Sequence, residues 1–153
     1  MWFNLSQDGE IKDSTFRNSM NKYENQGAIR SLMLVDDEPD IISALKVLFE
    51  REGFNITTFE DPIEALEKYS LDTYDLLILD IKMPKMDGFK LYEEIKKRDK
   101  NVKVCFLTAS ESYYENFRIE ERYSHLDEKL FIRKPITNAD LLTRINSILE
   151  RGT

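Results

Sequence analysis

The sequence predicts a doubly wound α/β domain, a five-stranded parallel sheet with helices on both faces. Three observations carry that expectation. Runs such as Leu32-Met33-Leu34-Val35 and Leu76-Leu77-Ile78-Leu79 are apolar without polar alternation, the pattern of strands buried on both sides. Between them lie segments whose apolar residues recur at helical spacing. The two patterns alternate over about 120 residues, which calls for parallel strands joined by right-handed helical crossovers.

Taken in order, the first strand is Leu32 to Val35. Pro39 opens a helix whose apolar stripe is Ile41, Ile42, Leu45, Leu48 and Phe49, and Gly53 ends it where a left-handed cap costs least. Phe54 to Phe59 is a second strand, rich in β-branched residues. Asp61-Pro62 supplies an N-cap and a first-turn proline to a helix with Ile63, Leu66 and Tyr69 on one face. Tyr74 to Asp80 is the third strand, and Gly88 starts a helix presenting Phe89, Tyr92 and Ile95. Val102 to Thr108 is the fourth strand, with Cys105 among its apolar residues. A helix rich in tyrosine and acid comes next, from about Glu111 to Tyr123. Leu130 to Lys134 is the fifth strand. The last helix runs from Asn138 to about Arg151, with Leu141, Leu142, Ile145, Ile148 and Leu149 as its stripe.

Residues 1–29 differ. Asn, Ser, Gln, Asp and Lys dominate and no period persists, the composition of a flexible extension, with a short helix around Ser14 to Glu24 as one option. Trp2 and Phe3 leave open a docking role beside that of a solvated tail or a misplaced start. The expectation is a flexible extension over 1–29 and one folded unit over 30–151, with too little chain after it for a second domain.

The 153 residues and 41% apolar content suit one globular domain. A formal charge of −7 argues against a nucleic-acid groove, which needs clustered Lys and Arg. No apolar run approaches the roughly 20 residues of a membrane span, and the N-terminus lacks a basic, apolar secretory signal. Cys105 is the only cysteine, which excludes an intramolecular disulfide and a thiolate metal cluster. A cytoplasmic, membrane-free protein is expected.

The chemistry is carried by the residues at the strand ends. Asp36 and Asp37 come directly after the first strand, Asp80 after the apolar run of the third, Thr108 closes the fourth and Lys134-Pro135 the fifth. In parallel sheets the ligand crevice lies at the carboxyl ends of the strands. Clustered carboxylates there repel one another and call for a divalent cation, which suits phosphoryl transfer onto a carboxylate.

Four segments then resemble the receiver domain of response regulators, the phospho-accepting partners of sensor histidine kinases. They are Leu34-Val35-Asp36-Asp37-Glu38-Pro39, Leu79-Asp80-Ile81-Lys82-Met83-Pro84-Lys85-Met86-Asp87-Gly88, Leu107-Thr108-Ala109 and Phe131-Ile132-Arg133-Lys134-Pro135. The match spans about Ile29 to Glu150. The resemblance implies the strand order 2-1-3-4-5, the flavodoxin-like order for which CheY is a stock example. It implies Asp80 as phosphoryl acceptor. Mg²⁺ would be held by Asp37, Asp80 and the Lys82 backbone carbonyl, with Asp36 binding directly or through water. Lys134, before a proline that is cis in the family, would compensate the phosphoryl charge. Thr108 would donate to a phosphoryl oxygen as a switch residue. Phe131 matches an aromatic position that turns inward, or is a plain core residue; both readings stand. Lys82 and Ser110 match positions that tune the lifetime of the acyl phosphate. Pro84 and Gly88 shape the loop, and Asp87 caps the helix after it.

The sequence departs from the family between Thr108 and Lys134, which is a few residues longer than usual and reads Tyr123-Ser124-His125-Leu126-Asp127-Glu128-Lys129 where a Gly-Ala pair is common. Tyr113, Tyr114, Phe117, Ile119 and Tyr123 offer more apolar surface than one inward stripe needs, so a homodimer or partner face is one option. His125 reads as a loop residue. The implied function is a single-domain response regulator, charged at Asp80 by a histidine kinase or phosphotransfer protein and signalling to a downstream protein, catalysing only its own phosphorylation and dephosphorylation. Two alternatives stand beside it. One is a metal-dependent phosphohydrolase using Asp80 as a transient nucleophile. The other is a binding module indifferent to phosphorylation.

Overall fold

The computed structural model describes residues 27–109 and 123–151. Its five strands are β1 (Ser31–Val35), β2 (Asn55–Phe59), β3 (Leu76–Asp80), β4 (Lys103–Thr108) and β5 (Phe131–Arg133), all parallel, in the order β2-β1-β3-β4-β5. The described helices are α1 (Pro39–Arg51), α2 (Pro62–Glu67), α3 (Gly88–Arg98) and α4 (Asn138–Glu150), with a 3₁₀ turn at Glu128–Leu130. The expected helix over 111–123 and the one over 14–24 lie outside the described residues.

The period of two along each strand sorts the sheet into two cores. Leu32, Leu34, Leu76, Ile78, Cys105, Leu107 and Ile132 face one way, onto Ile42 and Phe49 of α1 and Leu141, Ile145, Ile148 and Leu149 of α4. Met33, Val35, Leu77, Leu79, Val104, Phe106 and Phe131 face the other, onto Ala65 of α2 and Phe89, Leu91 and Ile95 of α3. At about 1.5–3 kcal/mol for each large apolar side chain buried, the two faces supply the main favourable term of folding. The central strands are dry on both sides, which is why they carry no polar alternation.

Local chemistry fixes the ends of the elements. Gly53 takes φ 88° just beyond α1, as expected from sequence. Asp61 caps α2 by accepting the Ile63 N–H at 2.8 Å. Asp87 caps α3 by accepting the Lys90 N–H at 2.8 Å, and Thr137 caps α4. Arg144 of α4 donates to the carbonyls of Lys129 and Phe131, at 3.0 and 2.9 Å, and so ties the short edge strand β5 to its helix.

Some expectations shift. α2 ends before Tyr69, which instead buries its ring beside Tyr74 and donates its hydroxyl to buried Asp99 at 2.8 Å. Tyr74 precedes β3 rather than opening it. Leu130 belongs to the 3₁₀ turn, so β5 is shorter than its apolar run suggests. In α3 the buried positions are Phe89, Leu91 and Ile95, with Tyr92 only half-buried. Tyr123 is buried against Phe89, ring centroids 5.0 Å apart, and so faces the core. His125 sits exposed in a turn, in keeping with the sequence.

Candidate functional site

The register of the sheet determines what meets at its carboxyl edge. Val35 pairs with Leu79, Asp80 with Leu107 and Thr108 with Arg133. The residues at and just past these pairs therefore come together: Asp36 and Asp37 after β1, Asp80 at the end of β3, Thr108 at the end of β4 and Lys134 after β5. Backbone bonds continue the sheet's alignment past its last pairs. The Asp36 N–H donates to Phe59 O at 3.2 Å, Ile81 N–H to Leu107 O at 3.3 Å and Lys134 N–H to Thr108 O at 2.8 Å.

Asp36, Asp37 and Asp80 each offer an oxygen within 4.8 Å of the other two. Asp36 is 0% exposed and Asp80 7%. The Lys134 ammonium donates to Asp36 Oδ2 at 2.9 Å, while Asp36 Oδ1 accepts the Glu38 N–H at 2.9 Å. Both oxygens of this buried carboxylate are thus engaged, and the ion pair keeps only 18% of the lysine side chain in contact with solvent. The Lys134–Pro135 peptide is cis.

Asp80 is held differently. Burial pushes its carboxyl up to about 7, the nearby Lys134 ammonium pulls the other way, and the Asp36 and Asp37 charges add to the rise. A carboxyl so perturbed beside two others at the carboxyl edge of a parallel sheet marks a candidate functional group, and added positive charge would restore its ionised form. The donor set is all oxygen, hard and anionic, which suits Mg²⁺. Ligands on opposite sides of such an ion stand about 4.2 Å apart, from bonds of about 2.1 Å. Neighbouring ligands stand about 3.0 Å apart, so three acids within 4.8 Å of one another hold the ion by drawing together or with one of them bound through water. The residues present fit the ion.

The loop after Asp80 is closed by Gly88, whose N–H donates to Ile81 O at 2.8 Å. A Cβ at Gly88 would lie 2.2 Å from the Asp80 carbonyl oxygen, so only glycine lets α3 start this close to β3. The left-handed residue of the loop is Lys85, at φ 71°. The side chain of Lys82 is exposed. Thr108 is buried, and Phe131 is turned inward, stacked on Phe106 at 5.2 Å and beside Phe89 at 6.1 Å. Asp87 is a helix cap and not a member of the acidic cluster. Ser110 lies outside the described residues.

Sequence reasoning missed the pairing of Lys85 with Asp61, at 2.5 Å across a separation of 24 residues. Neither residue stands out locally beyond Asp61's place before Pro62, so only the fold brings them to notice.

A family model of the response regulator receiver domain matches residues 32–146. Response regulator SaeR of Staphylococcus aureus (strain USA300) is 32% identical over 120 residues, 78% of this chain and 50% of that protein. The chain thus spans about half the length of the curated relatives it matches. Among solved structures, response regulator TrrA from Thermotoga maritima, in complex with Mg²⁺ and BeF, is 33% identical with a TM-score of 0.65, covering 78% of this chain and 99% of that one. A chain of the CheX–CheY–BeF₃–Mg²⁺ complex from Borrelia burgdorferi is 32% identical with a TM-score of 0.67, covering 84% and 95%. A receiver domain protein from Clostridium thermocellum is 28% identical at a TM-score of 0.67, covering 80% and 96%.

Proposed function

The chain belongs to the response regulator receiver family of two-component signalling, and from that premise we propose that Asp80 accepts a phosphoryl group from a phosphohistidine. The observation that carries this reading is the acidic cluster itself: three carboxylates within 4.8 Å, with a cation already paired to one of them. In the transfer, the histidine N–P bond breaks, an Asp80 oxygen–phosphorus bond forms and the imidazole leaves. The donor is a sensor histidine kinase or a phosphotransfer protein. An apolar cleft of about 400 Å³, lined by Ile41 and Leu45 of α1 and by Pro135 and Ile136, opens beside Lys134 and gives such a donor a surface next to the acceptor.

Asp36, Asp37, Asp80 and the Lys82 carbonyl would hold Mg²⁺. When bound, the ion offsets the negative charge of the acceptor and the incoming phosphoryl oxygens. Lys134 starts from its bond to Asp36 and is near enough to turn to a phosphoryl oxygen once Asp36 has another cation partner. Thr108, at the adjacent strand end, donates its hydroxyl to the phosphoryl group. Phe131 keeps the inward position that accompanies that contact, a local charge event read out through a two-state surface. Two charge-assisted hydrogen bonds at about 1.5–3 kcal/mol each are of the size needed to move such an equilibrium. Lys82 and Ser110 are assigned to acyl-phosphate lifetime.

The functional unit is drawn as residues 30–151, with residues 1–29 as an extension. Its output is a changed contact with a downstream protein, which includes a second copy of the chain. A cytoplasmic setting is inferred from where ATP charges a histidine kinase. Among the described residues no helix is long and apolar enough to cross a membrane. The competing phosphohydrolase reading wants a second Asp two positions after the nucleophile, where this chain has Lys82.

Intact-mass spectrometry after incubation with acetyl phosphate tests the proposal. One phosphoryl adduct is expected with Mg²⁺, none with excess chelator and none in Asp80→Asn. An Asp80→Asn protein labelled like the parent would refute it.

A further inference from the structure

We propose that Lys85 and Asp61 form a latch that positions the loop after the acceptor strand, residues 81–87, for metal binding. The inference rests on the proposed Mg²⁺ site and adds two residues outside it. β2 and β3 flank β1, and neighbouring strands are about 4.8 Å apart. The ion pair between Asp61, two residues past β2, and Lys85, five residues past β3, therefore joins the segments that leave the two strands on either side of the one whose end carries Asp36 and Asp37.

Each half of the latch is prepared for it. Asp61 is anchored: its Oδ1 caps α2 through the Ile63 N–H, which leaves Oδ2 to face Lys85. Two residues earlier, Phe59 O accepts the Asp36 N–H, so the anchor is continuous with the acidic cluster. Lys85 takes a left-handed backbone, φ 71°, which a lysine adopts at a cost and glycine or asparagine would adopt more readily. The base of the loop is set by Gly88 against the Asp80 carbonyl, and its inner side by buried Met83. The outer side is where Lys85 reaches across. The Lys82 carbonyl, three residues before Lys85, is the backbone ligand the loop would contribute, and its aim depends on the path of this segment.

A latch and a bystander cation predict opposite signs. As a mere positive charge on this loop, Lys85 would oppose the binding of Mg²⁺, and removing it would strengthen binding. As a latch it favours the binding geometry, and removing it weakens binding. The pair is partly exposed, 61% for the Lys85 side chain and 32% for Asp61, so the effect is bounded by what such pairs contribute.

Isothermal titration of Mg²⁺ into the full chain decides between them, with urea midpoints measured alongside. Lys85→Gln and Asp61→Asn, which keeps the helix cap, should each raise Kd about two- to fivefold. The double variant should be no worse than either single one, Lys85→Arg should restore parent affinity, and urea midpoints should stay close to the parent's. Tighter or unchanged Mg²⁺ binding by Lys85→Gln would overturn the latch while leaving the metal site standing. Additive losses in the double variant would overturn it as well. A parent that binds no Mg²⁺ saturably would overturn both the latch and the site on which it rests.

Discussion

Replacing Asp80 by asparagine should stabilise the metal-free protein, and the gain should depend on pH. Asp80 ends a strand buried on both faces, beside two other carboxylates, and its carboxyl is raised from 3.8 to about 7. An acid whose folded-state pKa exceeds its unfolded value binds more protons folded than unfolded between those two values. Its contribution to stability is neutral below about pH 3.8 and becomes steadily unfavourable as pH rises toward 7. At about 1.4 kcal/mol per pH unit over some three units, the ceiling is about 4 kcal/mol. Half-exposed Asp37 and the solvent reaching Lys134 bring water to the site, so about 2–3 kcal/mol is the expected size. The assay is urea unfolding followed by far-UV circular dichroism in chelator, at pH values from 4 to 8, for parent and Asp80→Asn. The stability difference between the two proteins should widen from pH 4 to 7 and then level off. Excess Mg²⁺ should raise the stability of the parent at neutral pH and leave the variant nearly unmoved. A difference that stays flat across the range would refute the claim that Asp80 is a buried, repelled carboxylate.

Three other substitutions probe the same geometry. Gly88→Ala places a Cβ 2.2 Å from the Asp80 carbonyl, so α3 must move away; a loss of about 2–4 kcal/mol is expected from urea unfolding. Lys134→Met leaves Asp36, 0% exposed, without its cation and should cost about 2–3 kcal/mol without metal, and should slow labelling by acetyl phosphate by about 10²-fold. Tyr69→Phe removes the hydroxyl donor to buried Asp99, which keeps the Asp72 N–H at 3.3 Å, and should cost about 1–2 kcal/mol with no change in labelling.

Much of the fold is legible in residue order because the central strands are buried on both faces. Leu32 to Val35 and Leu76 to Leu79 cannot alternate with polar residues, and their continuous apolar runs give them away. The caps Asp61, Asp87 and Thr137 lie beside their helices, and the first two are recognisable from neighbouring residues alone. The acids of the site are readable for a related reason: each comes directly after an apolar run, and a parallel sheet aligns such ends. What escapes depends on contacts distant in sequence. The Lys85–Asp61 pair and the Tyr69–Asp99 bond join residues 24 and 30 positions apart, and no local pattern marks them. Gly88 stands out in sequence as a turn glycine, whereas its close approach to Asp80 O leaves no trace there beyond the glycine itself. The short β5 reads too long because Leu130 is apolar yet belongs to the turn that enters the strand.

Asp80 itself is the residue proposed to take the phosphoryl group. Borohydride reduces an aspartyl phosphate to homoserine, so peptide mass spectrometry after acetyl phosphate, Mg²⁺ and borohydride reads the acceptor position. Homoserine is expected at position 80, with aspartate retained at 36 and 37. Homoserine at either of those positions in place of 80, or at none of the three in a folded, Mg²⁺-loaded protein, would contradict it.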